Sequence, residues 1–467
     1  MKWWKNDRIM VPAWLTVFFV LYGWLAIFSP GSYGGGDSYN HYLISRFSFQ
    51  HPELFMHQWG KPFFTLLSSP FSQFGFIGIK FFNIILTLST AYVGYKIIGR
   101  YSEKNNWLSV VFICCSPIFF YCTFSGLTEI LFAFMLVMSI WLYLDNKTAL
   151  AFLLISFHPF VRSEGFLMLP LFGLLAIANR QFKYIPLLAL GTLTYALAGF
   201  IIYNDINWVF ASNPYLQAGD VYGHGGPFHF IGKNEELLGE PQVILFLIGT
   251  CLICYRFIKN FKSKNEQVLF FLILGSFGAY FIAHSIFWWK GIFGSLGLTR
   301  VFGGVGPVAA IVAYFGFQGL IHYEKLNLKF RQWLSVLFVL WILWVPFKMQ
   351  RLPFQLNRYE KLHNEAIKWF KQQDFGNRKI YFFDPYLCLA ADFDIFDTTR
   401  YVNIDMWQGK TQPDNCIIYW ESYYCPNEGH VKKEFFKNNG YQKLIEFRDP
   451  TLITYKKDTF EIIIYKK

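Results

Sequence analysis

Long apolar stretches separated by short polar ones occupy the first three quarters of the chain. A helix needs roughly 20 apolar residues to cross about 30 Å of hydrocarbon. Eleven runs approach that pattern: 11–28, 74–98, 107–123, 128–144, 149–161, 164–178, 184–203, 242–258, 268–288, 301–321 and 331–347. The fifth and sixth are short and meet at Arg162 and Glu164. They read either as full spans or as two short helices joined at a polar turn. The segments 29–73 and 204–241 form two long connections.

After residue 347 the period changes. Residues 358–373 put Leu362, Ala366, Trp369 and Phe370 on one helical face. Runs at 380–383, 417–420, 444–447 and 460–465 predict strands, and 430–438 a second helix. The expected architecture is an α-helical polytopic membrane protein with about 11 transmembrane helices over 1–347, followed by a small α/β domain over 348–467.

Composition supports this division. The 467-residue chain is 54% hydrophobic and only 15% charged, against about a quarter charged in soluble proteins. The tail, with 19 Lys/Arg and 16 Asp/Glu, is ordinary soluble protein, whereas the preceding body is poor in charge. The net charge of +12 therefore does not point to nucleic acid. It carries orientation, because cytoplasmic loops retain Lys and Arg. With the N-terminus inside, sixteen basic residues of the body fall on the cytoplasmic side. Only Arg46, Lys61, Lys80, Arg162, Lys233, Lys290 and Arg300 fall outside, and an odd number of spans makes the tail extracytoplasmic. No small-x-small cleavage site follows the first run at Phe28-Ser29-Pro30-Gly31, so that run reads as a retained signal anchor.

Eight cysteines form no framework. Cys251-x-x-Cys254 lies in an apolar run, where small packing residues are the expected reading. Of Cys388, Cys416 and Cys425 in the tail, one pair is able to form a disulfide in an oxidising compartment, and spacing does not choose which.

Ionisable groups near a bilayer are functional candidates, because burying them there is costly. The first outer loop carries Gly34-Gly35-Gly36-Asp37-Ser38-Tyr39-Asn40-His41. The glycines allow a sharp turn. Asp37 then serves either as a helix N-cap or as a general base. Further along lie His57 and Trp59-Gly60-Lys61-Pro62-Phe63, in which the Lys61 ammonium is placed to meet a phosphate at headgroup depth or to snorkel. Glu129 opens the fourth run, where it also complements a helix dipole. His158-Pro159-Phe160-Val161-Arg162-Ser163-Glu164-Gly165 interrupts an apolar stretch, as a mutually neutralising pair or as a broken helix facing a cavity. Arg300 follows a glycine-rich loop beside Trp288-Trp289-Lys290, as a phosphate clamp or an interfacial anchor. His41, His57, His224 and His229 are candidates for sugar hydroxyls, each more often structural. Together these groups suit an anionic lipid-linked substrate and a hydroxyl that needs activation.

These residues resemble the GT-C superfamily of integral-membrane glycosyltransferases that use polyprenyl-phosphate-linked sugars. Asp37 is similar to the first-loop acidic motif, whose carboxylate is the catalytic base in that family. Trp59-Gly60-Lys61-Pro62-Phe63 resembles the Lys-Pro element of the aminoarabinose and protein mannosyltransferase branches, where the lysine meets the carrier phosphate. Arg162-Ser163-Glu164-Gly165 resembles the Arg-x-Glu-Gly element of mannosyltransferases that build glycolipid anchors. The resemblance implies inverting transfer from a polyprenyl-phosphate sugar donor to a glycan, lipid or protein acceptor. It casts Asp37 as base, Lys61 and Arg300 as phosphate ligands, and Arg162 assisting or holding Glu164; the outer-side position of Glu129 puts it near the same cavity. Asp37-Ser38 stands where some members carry a paired acidic motif, so neither a metal nor any other cofactor is expected. Rival classes are a polysaccharide polymerase or ligase using a lipid-linked glycan, and a lipid-linked sugar transporter. The second should show matched broken helices in two halves, and only 158–165 is broken in this way.

Overall fold

A computed structural model describes residues 6–102, 106–215, 223–324, 327–404, 413–454 and 458–467. Part of the predicted loop 204–241, including Asp220, lies outside the described residues, as do Lys104 and Lys325 of the charge pattern. The chain divides into two compact units, one formed by 1–29 with 53–353 and the other by 30–52 with 354–467.

The first unit is helical. Among the described residues, six helices are long and apolar enough to cross a membrane: Asp7–Ile27, Phe76–Ile98, Phe182–Tyr203, Glu240–Lys259, Lys264–Lys290 and Leu328–Met349. Four shorter apolar helical segments are Glu129–Leu144, Thr148–Phe160, Ser163–Ala178 and Gly306–Ile321. At 1.5 Å per residue, these are too short to cross about 30 Å unaided. Segments 149–161 and 164–178 are thus two short helices meeting at a polar turn. The run 107–123 is broken into Leu108–Cys114 and Pro117–Cys122. Ser116, just before Pro117, is extended at ψ 116°, the conformation that a following proline favours.

Apolar surface cannot hold helices together in lipid as it does in water, so polar contacts between them count. The amide of Asn83 donates to the carbonyls of Ser125 (2.7 Å) and Leu127 (3.4 Å), and Thr87 meets Thr123 at 2.9 Å. Gln242 donates to the Phe112 carbonyl at 2.9 Å. Lys80 is buried, and its ammonium donates to the Ser29 carbonyl at 2.7 Å. That contact makes it a structural tie between the first helix and Phe76–Ile98.

The second unit has a five-stranded sheet made of β1 Lys379–Phe382, β2 Tyr401–Asn403, β3 Cys416–Glu421, β4 Gln442–Ile453 and β5 Thr459–Lys466. Its order is β2-β1-β3-β5-β4. β1 runs parallel to β2 and β3, while β5 is antiparallel to β3 and β4. Every residue of β3 is buried, as expected of a central strand. One core gathers Ile404, Ile418, Trp420, Phe436, Ile463 and Tyr465. The predicted helices appear as Arg358–Lys371, closed by a capping box of Asn357 and Glu360, and Lys433–Asn438. Pattern alone missed β2, which is three residues long, and the helix Pro385–Ala391, capped by Asp384. β4 outruns its prediction through Pro450, tolerated because β4 is an edge strand. Cys388, Cys416 and Cys425 are buried free thiols.

Residues 30–52 of the first loop belong to this unit. They form the helix Gly35–Phe47, in which Tyr39 donates to the Glu360 carboxylate and packs with a tilted ring against Tyr386 at 5.4 Å. His51 Nε2 meets Asp394 at 2.9 Å.

Candidate active site

The turn before Glu129 is shaped locally. Ser125 Oγ accepts from the Leu127 N–H at 3.1 Å and donates to the Cys122 carbonyl at 2.6 Å. Asn83 holds the same turn by its carbonyls. Glu129 therefore enters its helix at a fixed point, with its side chain only 1% exposed.

Arg162 is extended (φ −154°, ψ 141°) between the two short apolar helices. Its Nη1 lies 2.8 Å from Glu129 Oε1 and donates to Thr128 Oγ1 at 3.2 Å. Its Nη2 reaches Glu164 Oε1 at 2.8 Å. The pair Arg162 and Glu164 does neutralise itself, but Glu129 joins it, leaving two carboxylates around one guanidinium. His284 Nε2 stands 3.6 Å from Glu164 Oε1, and the Tyr280 ring packs on His284 at 4.5 Å. Gly165 is required sterically, since a Cβ there would stand 2.3 Å from the His158 carbonyl carbon. His158 is itself a packing residue, stacked on Phe132 at 3.6 Å and bonded to its carbonyl at 2.9 Å.

Lys61 joins the cluster through Ser163. It caps Pro62–Ser72 at φ 66°, a backbone state that non-glycine residues seldom hold without cause. The turn is held by Gly60 N–H donating to His57 Nδ1 at 3.1 Å and by Thr65 Oγ1 donating to the Gly60 carbonyl at 3.1 Å. Buried Lys61 points its Nζ at Ser163 Oγ (3.1 Å) and over the Tyr215 ring at 4.5 Å. Burial pushes its amine down to about 8, with Glu164 opposing and Arg162 adding to the shift.

One carboxylate oxygen of Glu129 and Arg162 Nε are buried with no hydrogen-bond partner among the described residues. A half-satisfied charged network is costly in a dry interior.

Other candidates are placed differently. Arg300 lies in a short turn, Thr299–Gly304, that packs near Glu129 through Gly303, and its carbonyl faces Cys122 Sγ at 3.7 Å. His229 has its Nε2 bonded to the Gly297 carbonyl at 3.0 Å and its ring 5.6 Å from Trp288. His57 holds the Lys61 turn, and His41 is buried in Gly35–Phe47. Asp37 belongs to the other unit. It sits in the first turn of Gly35–Phe47, whose N-cap is Gly34 (φ 87°). The N-cap reading of Asp37 is thereby corrected, because the left-handed glycine takes that position. Sequence reasoning did not single out Tyr280 and His284. Their only signal was an i,i+4 spacing within an uncharged apolar run.

No family model matches the chain, and no curated protein sequence matches it. Solved structures do. ArnT from Cupriavidus metallidurans in the apo state aligns with a TM-score of 0.59 at 10% identity, covering 97% of this chain and 98% of that one. ArnT from the same organism bound to undecaprenyl phosphate aligns at 0.56 and 10% identity, with the same coverage. The Archaeoglobus fulgidus oligosaccharyltransferase tethered with an acceptor peptide aligns at 0.54 and 11% identity, covering 83% of this chain. The chain spans 63% of that longer protein. These likenesses establish the fold: the chain has the architecture of the GT-C glycosyltransferases, a polytopic helical body with a small C-terminal sheet domain.

Proposed function

We propose that the chain is an inverting glycosyltransferase. It moves a sugar, of hexosyl or mannosyl type by its Arg-x-Glu-Gly element, from a polyprenyl-phosphate carrier to a hydroxyl of a glycolipid, glycan or protein acceptor. The reaction takes place at the outer face of the membrane, with the N-terminus cytoplasmic and the tail outside. The fold is shared with a protein solved with undecaprenyl phosphate. The observation that carries the reading is the buried charged network around Arg162, with Lys61 joined to it through Ser163 and polar atoms left to be filled.

In the proposed reaction an acceptor oxygen bonds to the anomeric carbon as the bond from that carbon to the phosphate oxygen breaks. The acceptor proton goes to Asp37, and the electron pair leaves with the polyprenyl phosphate. Charge grows on the phosphate in the transition state, so fixed cations stabilise that state above the ground state. Lys61 and Arg300 take this role. Arg162 orients Glu164 and Glu129, whose free oxygen is available to a sugar hydroxyl. No metal is assigned a role.

The test is incubation of the purified chain in lipid with a panel of undecaprenyl-phosphate sugars, reading undecaprenyl phosphate release by mass spectrometry. Turnover of at least one donor, lost in Lys61→Met, is expected. No turnover of any donor, by protein that binds none, refutes the proposal.

A further inference from the structure

A groove lies in the helical body, away from Glu129. It measures about 510 Å³ and runs between three helices. Its walls include Leu15 of Asp7–Ile27, Leu88 and Tyr92 of Phe76–Ile98, and Phe134 and Met138 of Glu129–Leu144. Trp141 also lines it, twelve residues after Glu129 and so about 18 Å further along the helix axis. The groove is therefore separate from the network around Arg162. Along Phe76–Ile98 its lining extends from Leu88 to Lys96, about 12 Å of helix. That length fits within half of a hydrocarbon layer about 30 Å thick, the depth of one leaflet.

One end of the groove is positive. Lys96 is its last lining residue on Phe76–Ile98 and is exposed. Four residues on, Arg100 pairs with Asp145, and Lys147 meets the same carboxylate at 2.9 Å. Lys147 Nζ also stands 5.4 Å from the centre of the Trp141 ring, which brings it to the groove's edge. Three cations thus gather at this end against the Asp145 carboxylate, and positive charge is left over. Tyr92, which is 45% exposed, and Trp141 are aromatic side chains of the kind that sit at headgroup level. A lysine that merely snorkels needs no apolar channel leading up to it. An apolar channel ending in basic residues complements a molecule with a hydrocarbon chain and an anionic head.

We propose that this groove binds one acyl chain of an anionic phospholipid, with the headgroup phosphate held among Lys96, Arg100 and Lys147. Its one-leaflet length favours a phospholipid over a polyprenyl phosphate, whose longer chain would overrun it. In the orientation proposed above, the site faces the cytoplasmic leaflet, whose anionic lipids attract basic residues beside spanning helices. Nothing in it depends on the glycosyl transfer, so it stands whether or not that reading holds.

The experiment adds phosphatidylglycerol or phosphatidylcholine to the purified, delipidated chain in detergent and reads bound lipid by native mass spectrometry. One phosphatidylglycerol should be retained in preference to phosphatidylcholine. Lys96→Gln should weaken it about fivefold, the scale of one basic residue near an anionic surface, and leave phosphatidylcholine unchanged. Ser89→Trp, which fills the groove from its wall without altering a charge, should abolish the preferred binding. Met138→Trp carries this arm if Ser89→Trp does not fold, as read by gel filtration. Lys259→Gln, at the end of Glu240–Lys259 and outside the groove, should change nothing. Equal retention of the two lipids overturns the proposal, because hydrocarbon filling alone would explain it. Equal loss in Lys96→Gln and Lys259→Gln overturns it as well, since the attraction would then be diffuse. So does preferred binding that survives both groove-filling variants. Undecaprenyl phosphate that displaces phosphatidylglycerol and is itself lost in Ser89→Trp overturns the choice of occupant.

Discussion

Removing Arg162 should harm the fold more than removing either of its carboxylate partners, because the cluster is asymmetric. Arg162→Met strands Glu129 and Glu164 together, whereas Glu129→Gln leaves a guanidinium that still has Glu164. Both ion pairs are 2.8 Å long, and the three side chains are 14%, 1% and 17% exposed. At an effective dielectric of 20, a pair at that distance attracts by about 6 kcal/mol before desolvation. Desolvation offsets much of this, and removing one partner of a buried pair costs about 3–5 kcal/mol. Arg162→Met should sit near the top of that range, and Glu129→Gln about 1–2 kcal/mol lower. The double variant should fall short of the sum by about 1.5–3 kcal/mol, because the second change removes a charge already stranded. Unfolding by sodium dodecyl sulfate in mixed micelles, followed by circular dichroism, reads all three. Additivity within about 0.5 kcal/mol, or Glu129→Gln as damaging as Arg162→Met, refutes the picture of one shared network.

Gly165→Ala should lower folded yield and stability by about 2–4 kcal/mol in the same unfolding assay, since its Cβ would meet backbone at 2.3 Å and backbone cannot swing aside. The Lys61 amine, pushed down to about 8, is charged at pH 7 and largely neutral at pH 9. Affinity for undecaprenyl phosphate should therefore fall across that interval in wild type and persist in Lys61→Arg, read by binding to the purified chain. The same depression leaves the unfolded chain holding the extra proton between about 8 and the ordinary lysine value, so this residue's contribution to stability rises with pH there. Chelation with EDTA should leave donor turnover within about twofold, because Lys61 and Arg300 meet the phosphate charge in the proposed reaction.

The body was legible because long apolar runs have few alternatives in a membrane protein, and the run 107–123 broke just before Pro117. Arg162 and Glu164 stood out for a related reason, as charges where apolar residues surround them, and Glu129 turned out to be their partner across the helices. Tyr280 and His284 did not stand out, since aromatic and histidine side chains pass as packing in such a run. Their role depends on which helix lies opposite, which periodicity does not encode. For His229 the sequence left both a ligand contact and a structural role open, and the bond of its Nε2 to the Gly297 carbonyl depends on a loop approach that composition does not encode. Least legible was the allegiance of 30–52. Its amphipathic pattern marks a face to be buried and says nothing about a partner 321 residues away, as Glu360 is from Tyr39.

That separation sets a schedule for synthesis. The helix Gly35–Phe47 emerges early, yet the groups that complete it, from Glu360 to Tyr424, come more than three hundred residues later. At 5–20 residues per second, the first loop waits roughly 15–60 s before its sheet exists. During that interval its buried face, Tyr39, Leu43 and Phe47, has no native cover. The turn carrying Asp37 is then among the last parts of its unit to take shape, completed only when the chain's own tail arrives.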